Sequence, residues 1–569
     1  MKPMIEFKDF SFKYRAQTEP TLHHINLSIM PGEKILIVGP SGSGKSTLAH
    51  CINGLVPFSY KGENTGSLLI DGKDPKALGI FGLSQIVGTV LQDTDGQFIG
   101  LTVAEDIAFA LENELTDQQE MKKRVETVAK EVELLPLLKH APGELSGGQK
   151  QRVSMAGVMV DNVKVLLFDE PLANLDPATG KKTIKMIDEI RRDRNATVIM
   201  IEHRLEDALF CDVDRIILIN EGRILADMST DELLSGDYLM TAGIREPLYV
   251  TALKHAGCRL TKDDRLSHCS SMNITPYVEK LREWNQEHPS KGVKNDSDVV
   301  LQVENVSFAY HEEEPVLQSV SFVLHKGEMV SIVGKNGAGK STLSNLICGF
   351  IKPDAGKIYL DGEDIEPLSI KERGEIIGLV MQSPNQMISK PMIKDEVALG
   401  LRVKGIPEAE IEERVKETLI TCGLYEMRNW PVSALSYGQK KRVSIASILV
   451  MHPKILILDE PTAGQDYRHY TEIMEFLKKI NKEQGITIVM ITHDMHLMLE
   501  YTNRAIVLAD GKLLADDLPS RVLTNEEITD AAYLKKTSLY DLAKRCGIEK
   551  PYEFVQNFIE YERLLRINN

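Results

Sequence analysis

The chain lacks several signatures, and each absence narrows the field. Its seven cysteines, at positions 51, 211, 258, 269, 348, 422 and 546, are odd in number and include no C-x2-C pair. That disfavours a zinc ribbon, an iron–sulfur run or a disulfide framework, and fits a reducing compartment. Positive charge is not in surplus: 67 Lys and Arg stand against 83 Asp and Glu, a net charge of -16, which argues against a dedicated binder of nucleic-acid phosphates. No run approaches the roughly 20 apolar residues that span a bilayer. The best runs, 165–168, 196–201 and 216–219, are far shorter, so any work at a membrane is expected of a peripheral subunit. Residues 1–14 carry dispersed charges and lack the apolar block of a secretory signal. Aromatic residues make up only 6%, yet 43% of the 569 residues are hydrophobic, enough to build several cores; about 150 residues per domain would give three or four.

Self-similarity replaces that count. GPSGSGKST from Gly39 returns as GKNGAGKST from Gly334, LSGGQKQR from Leu145 as LSYGQKKR from Leu435, FDEP as LDEP ending at Pro461, and His203 as His493. The offset is 295 residues at the first motif and 290 later, which puts a five-residue length difference between 48 and 71, expected in a loop around SYKGENTG. Even the tails echo, LYVTALKHAG from Leu248 against LYDLAKRCG from Leu539. The chain therefore reads as two copies of one module, each with a small helical appendage. The expected domains are 1–240 and 298–525 for the modules, 241–297 for the first appendage and linker, and 526–569 for the second. The polar stretch 287–298, EHPSKGVKNDSD, reads as the linker proper.

Short apolar runs precede both glycine loops (35–38, 330–333) and both acidic pairs (165–168, 455–458), without polar alternation. Strands buried on both faces look like this, so the fold class is α/β, with a mainly parallel sheet core, an antiparallel β edge and a charged helical insertion near 117–139 and 407–422.

Gly39, Gly44, Lys45 and Ser46 match G-x4-G-K-S, as do Gly334, Gly339, Lys340 and Ser341. Such a loop turns backbone N–H groups inward around phosphates at a helix start, with the lysine on the outer phosphates and the serine on Mg2+. The nucleotide-binding segments are Pro40, Ser41, Gly42, Ser43 and Thr47 with the first motif, and Lys335, Asn336, Gly337, Ala338 and Thr342 with the second. Asp169–Glu170 and Asp459–Glu460 end buried runs, where one carboxylate can hold Mg2+ and the next can deprotonate an attacking water. His203 and His493 follow a second apolar run and suit a bond to the γ-phosphate and water. Gln92 and Gln382 could touch the cation, and Tyr14 and Tyr310 could stack on adenine. A structural tyrosine or a surface glutamine would be the plain alternative at those four positions.

LSGGQ about twenty residues before the acidic strand resembles the signature of ATP-binding cassette ATPases, over nearly all of both halves. In that family two cassettes pack head to tail, so the resemblance implies an intrachain cassette pair that binds ATP and Mg2+. One site would join Gly39–Thr47, Gln92, Asp169, Glu170 and His203 to Ser436, Gly438 and Gln439. The other would join Gly334–Thr342, Gln382, Asp459, Glu460 and His493 to Ser146, Gly147, Gly148 and Gln149. Tyr437 stands where the signature has glycine, so the site it completes is expected to be the slower of two hydrolytic sites. LQDTDGQFIGLTVAEDIAFAL and MQSPNQMISKPMIKDEVALGL, with Gln97 and Gln386 as echoes, resemble the ATPases of energy-coupling factor importers of vitamins and of nickel or cobalt ions. PTAGQD at Pro461 and IEHRLED at Ile201 are similar to fused members linked with thiamine or its pyrimidine precursor. The resemblance implies a subunit on the cytoplasmic face, partnered by a membrane scaffold and a substrate-binding membrane protein, with no nucleic acid. The alternatives are a fused sugar-importer ATPase and a soluble tandem cassette acting on ribosomes or DNA.

Overall fold

The computed structural model describes residues 2–91, 95–173, 175–290, 297–311 and 314–568. The chain divides into two compact units, 1–278 with 466–468, and 279–465 with 469–569.

In the first unit a six-stranded sheet forms from the runs without polar alternation. Its order is Val87–Val90, Val165–Asp169, Thr197–Ile201, Lys34–Val38, Arg215–Asn220 and Arg223–Met228. The first five strands are parallel and the last is antiparallel. Lys34–Val38 and Thr197–Ile201 are buried at every residue, as expected of strands covered on both faces. A second sheet of three antiparallel strands, ordered Leu22–Ile29, Ile5–Tyr14 and Gly62–Ile70, shares one hydrophobic core with the first through Phe7, Phe12, Ile37 and Leu48. The second unit repeats both layers. Its six-stranded sheet runs Ile377–Val380, Ile455–Asp459, Thr487–Ile491, Met329–Val333, Arg504–Ala509 and Lys512–Asp517. The α/β class with parallel core and antiparallel edge is thus the observed architecture in both halves.

The length difference is only partly a loop. Residues 62–66 of SYKGENTG begin the strand Gly62–Ile70, nine residues against six for its counterpart Ala355–Leu360, which takes up three of the five extra residues. The extra pairing sets Asn64, Glu63 and Gly62 opposite Phe12, Lys13 and Tyr14. Its six leading residues are all exposed, so no apolar alternation marked it.

The appendages are helical, as in Leu248–His255 of the first and Ser538–Arg545 of the second. Within the second unit, Trp284 of the helix Val278–Glu287 is buried against Phe554 and Tyr561 of the helix Pro551–Asn568, with ring centroids 6.0 and 5.4 Å away. Ser290 N–H donates to Asn557 Oδ1 at 2.7 Å, so the start of the polar stretch 287–298 is pinned. Residues 291–296 of that stretch lie outside the described residues. The Arg563 guanidinium donates to the carbonyls of Leu499, Glu500 and Thr502 and to Asn503 Oδ1, tying the terminal helix to the segment that follows the His493 strand. Trp284→Ala removes the ring at the centre of this packing. It is expected to lower unfolding stability by about 3–5 kcal/mol, read by thermal denaturation; an unchanged melting temperature contradicts the packing role.

Candidate functional site

Parallel pairing brings the motifs to one edge. Asp169 pairs with Ile201, and Ile37 pairs with the same residue on its other side, so three strands end level. The loops that leave them carry the acidic pair, the histidine and the phosphate loop. Ligands of open parallel sheets gather at such carboxyl ends. The second unit repeats the register with Asp459, Ile491 and Ile332.

Each phosphate loop joins its strand to a helix, Lys45–Asn53 or Lys340–Cys348. Gly44 and Gly339 take left-handed backbone at the N-caps, with φ of 102° and 96°, and no side chain caps either helix. That leaves the first-turn N–H groups to an anion. Lys45 Nζ donates to the Gly39 and Pro40 carbonyls at 2.9 Å each, and Lys340 to those of Gly334 and Lys335 at 2.7 and 3.0 Å. Burial lowers the Lys45 pKa, while the nearby charges of Glu170 and Asp169 oppose the shift, so phosphate loop and acidic pair share one electrostatic site. Ser41, Gly42, Ser43, Ser46 and Thr47, and Asn336, Gly337, Ala338, Ser341 and Thr342, lie on these loops and first turns. Tyr14 Oη and Thr47 Oγ1 are 3.1 Å apart, and Tyr310 Oη and Thr342 Oγ1 3.5 Å, so both tyrosines touch the phosphate-loop helix.

Both proposed bases occupy left-handed backbone, φ 51° at Glu170 and 43° at Glu460, a conformation rare for such residues and concentrated at functional sites. Each N–H is bonded to the neighbouring strand, to the Ile201 or Ile491 carbonyl, at 2.9 Å. His203 Nε2 lies 3.0 Å from Glu170 Oε1, and His493 Nδ1 lies 2.6 Å from Glu460 Oε1. Burial and the adjacent glutamate push Asp169 and Asp459 each up to about 6. Glu460 goes the other way: burial would raise it, but His493 and the Thr492 hydroxyl hold it below the usual range.

The halves differ in residues that sequence reasoning passed over. Glu202 occupies the place of Thr492; it is buried, its pKa pushed up to about 7 by that burial, and it accepts from the N–H groups of Leu172, His203 and Arg204. It joins the loop after Glu170 to the histidine loop. Its signal was the IEH/ITH difference. Asp106 and Glu396, the second acid of each E-D or D-E run, fold back onto N–H groups of the glutamine-loop exit, Ile99 and Gly100 in one half and Ser389 and Lys390 in the other. Gln92 lies outside the described residues. The Gln97–Gln386 echo is one position out of register. Gln97 Oε1 accepts from Leu91 N–H at 3.2 Å, and the equivalent role, accepting from Met381 N–H at 3.2 Å, belongs to Met387 Sδ.

The signatures cap helices. Ser146 Oγ accepts from Gln149 N–H at 3.4 Å while Gln149 Oε1 accepts from Ser146 N–H at 2.8 Å, and Ser436 with Gln439 does the same. The S-x-x-Q spacing is therefore a capping box that opens the helix Gly147–Met159 or Tyr437–Leu449. A Cβ at Gly148 would meet Thr179 Cγ2 at 2.6 Å, so any larger residue there must displace that threonine. The Tyr437 hydroxyl donates to the Gln382 carbonyl at 3.3 Å. Buried Lys441, one turn on, donates to the Met381 and Gln382 carbonyls at 2.8 Å each, and burial lowers its pKa to about 8.

Among the described residues no group of three or more His, Cys, Asp or Glu could hold a metal ion. One carboxylate and one serine hydroxyl per half is a donor set that fits Mg2+ arriving with a nucleotide, since that ion takes few protein ligands and fills its shell with phosphates and water. Two such loops predict two nucleotides per chain. Lys45→Ala and Lys340→Ala are each expected to lower the bound stoichiometry from two to about one, measured by equilibrium dialysis; an unchanged value of two contradicts the assignment.

Comparison with known proteins gives the family. A family described as ABC transporter matches residues 22–173 and 317–463, and one described as ATP-binding cassette cobalt transporter matches 236–308. A putative ABC transporter ATP-binding protein of Clostridium perfringens is 58% identical over 99% of both chains, and one of Enterococcus faecalis is likewise 58% identical over 99% of both. One of Photobacterium profundum is 54% identical over 98% of this chain and 99% of that protein. A solved structure of CbiO1 from Clostridium perfringens, part of the ABC transporter complex CbiONQ, matches 41% of this chain and 94% of its own at 36% identity, with a TM-score of 0.39. Two phosphate loops, two Glu–His pairs and two signature helices on a duplicated α/β core, with relatives matched end to end, make this chain a two-cassette ATPase of the ABC transporter family.

Proposed function

We propose that the chain is the ATP-hydrolysing subunit of an energy-coupling-factor-type importer, peripheral on the cytoplasmic face of a membrane. The observation that carries this reading beyond the family is the match of residues 236–308, which include the first appendage, to the family described as an ATP-binding cassette cobalt transporter. It favours a transition-metal cation as the imported substrate. A second reading, a vitamin such as thiamine or its pyrimidine precursor, is supported by PTAGQD at Pro461 and IEHRLED at Ile201. In both, substrate choice belongs to a small membrane-embedded binding protein and motion is passed to a transmembrane scaffold. Among the described residues no helix is long and apolar enough to cross a membrane, consistent with that division of labour. The modules are assigned to 1–240 and 298–525, with appendages in 241–297 and 526–569.

The chemistry follows from the side chains. Lys45 and Lys340, with the uncapped helix N-termini, bind the outer phosphates of ATP. Glu170 and Glu460 accept a proton from the attacking water, and their unusual backbone aims each carboxylate off the strand end. His203 and His493, in contact with those carboxylates, orient the water and γ-phosphate. Bound Mg2+, held by Ser46 with Asp169 or Ser341 with Asp459 and approached by Gln92 or Gln382, would neutralise phosphate charge. Tyr14 and Tyr310 are the candidate adenine contacts.

Purification from membranes in mild detergent is expected to recover a transmembrane scaffold and a small membrane protein with this chain. Labelled cobalt or nickel uptake by that complex in vesicles is expected to need ATP. Recovery with ribosomes would contradict the reading, and ATP-driven uptake of labelled thiamine but not metal would select the vitamin.

A further inference from the structure

The halves wire the signature helix differently. In the helix Gly147–Met159, Gln151 Nε2 donates to the carbonyl of Pro171, the residue after Glu170. The equivalent of Gln151 is Lys441, and the equivalent of Gly147 is Tyr437. Tyr437 and Lys441 are four residues apart on one helix, so they share a face, and both reach the same backbone: the Gln382 carbonyl accepts from each, at 3.3 and 2.8 Å, and Lys441 also holds the Met381 carbonyl at 2.8 Å. Lys441 is only 1% exposed. A buried ammonium is tolerated only when it is bonded and paired, and here two carbonyls bond it while Asp459 and Glu460 supply the nearby negative charge. Three charge-assisted or neutral bonds on two successive carbonyls fix a loop's main chain far more firmly than one.

We propose that Tyr437 and Lys441 form a strap that locks the glutamine loop of the second half to its own signature helix, with both acting as positioning residues for Gln382. The inference deepens the reading of that half as an ATPase site and rests on it. The departure from the signature at Tyr437 then has a purpose: a change felt at Ser436 is passed within one helical turn to Gln382. The first half, with Gly147 and Gln151, has neither the phenol nor the ammonium for this connection.

The test uses the full chain with Lys441→Met, which keeps the volume and removes the donors, Tyr437→Phe, and the two together. Without nucleotide, amide hydrogen exchange of residues 382–388 is expected to quicken about tenfold or more in the double variant, with the strands Ile377–Val380 and Ile455–Asp459 unchanged. Exchange unaltered in 382–388, or raised evenly through the half, overturns the strap. In turnover, Lys441→Met is expected to lower kcat several-fold with KM for ATP within about twofold, and to add nothing in a Gln382→Ala background. Full additivity with Gln382→Ala overturns action through that glutamine. Wild-type kcat in Gln382→Ala alone would instead count against the glutamine's part in the reaction, and the exchange result would still decide the strap.

Discussion

The site depends on one constraint, the level ending of parallel strands at the carboxyl edge of each six-stranded sheet. Because Asp169 and Ile37 both pair with Ile201, the acidic pair, the histidine loop and the phosphate loop leave the sheet side by side. Complete burial of the inner strands fixes that register, since a slip would bring polar loop residues into the core. The left-handed glutamates are the local cost of the arrangement. Their N–H groups stay bonded to the neighbouring strand while their side chains turn to the histidines. Such strain persists only where the surroundings over-determine it, and here two strands and an imidazole do so.

Duplication has preserved this frame and varied its bracing. In the first half Glu202 ties the loop after Glu170 to the histidine loop, whereas in the second Thr492 bonds Glu460 directly and His493 holds its other oxygen. The signature helix is wired to the residue after Glu170 in one half and to the glutamine loop in the other. This difference in bracing is the ground on which we propose unequal rates for the two sites, although the candidate residue types are the same.

Much of this was legible in the sequence. The repeat offset, the unbroken apolar runs and the glycine loops placed the sheets, the strand ends and the phosphate loops, because a parallel strand buried on both faces leaves a plain mark. Other features left weaker marks. The strand Gly62–Ile70 begins with six exposed residues and so read as a loop. The Gln97 echo was matched to Gln386 by letter, yet its equivalent is Met387, whose sulfur takes over the same N–H contact at the glutamine loop. Tyr437 was visible as a departure from the signature, but the direction of its hydroxyl depends on the course of residues 381–382, which no local pattern gives. Nothing in the local sequence separates Lys441 from an exposed charged helix position; its burial comes from tertiary packing.

The central claim is that both Glu–His pairs turn over ATP and do so at unequal rates. Steady-state phosphate release from Glu170→Gln, Glu460→Gln and the double variant tests it most directly. The account predicts that each single variant loses turnover, the Glu460 variant more, and that the double variant falls about a hundredfold or further. A Glu460→Gln variant with wild-type turnover beside an inactive Glu170→Gln would contradict the assignment of the faster site, and an active double variant would contradict the role of both glutamates.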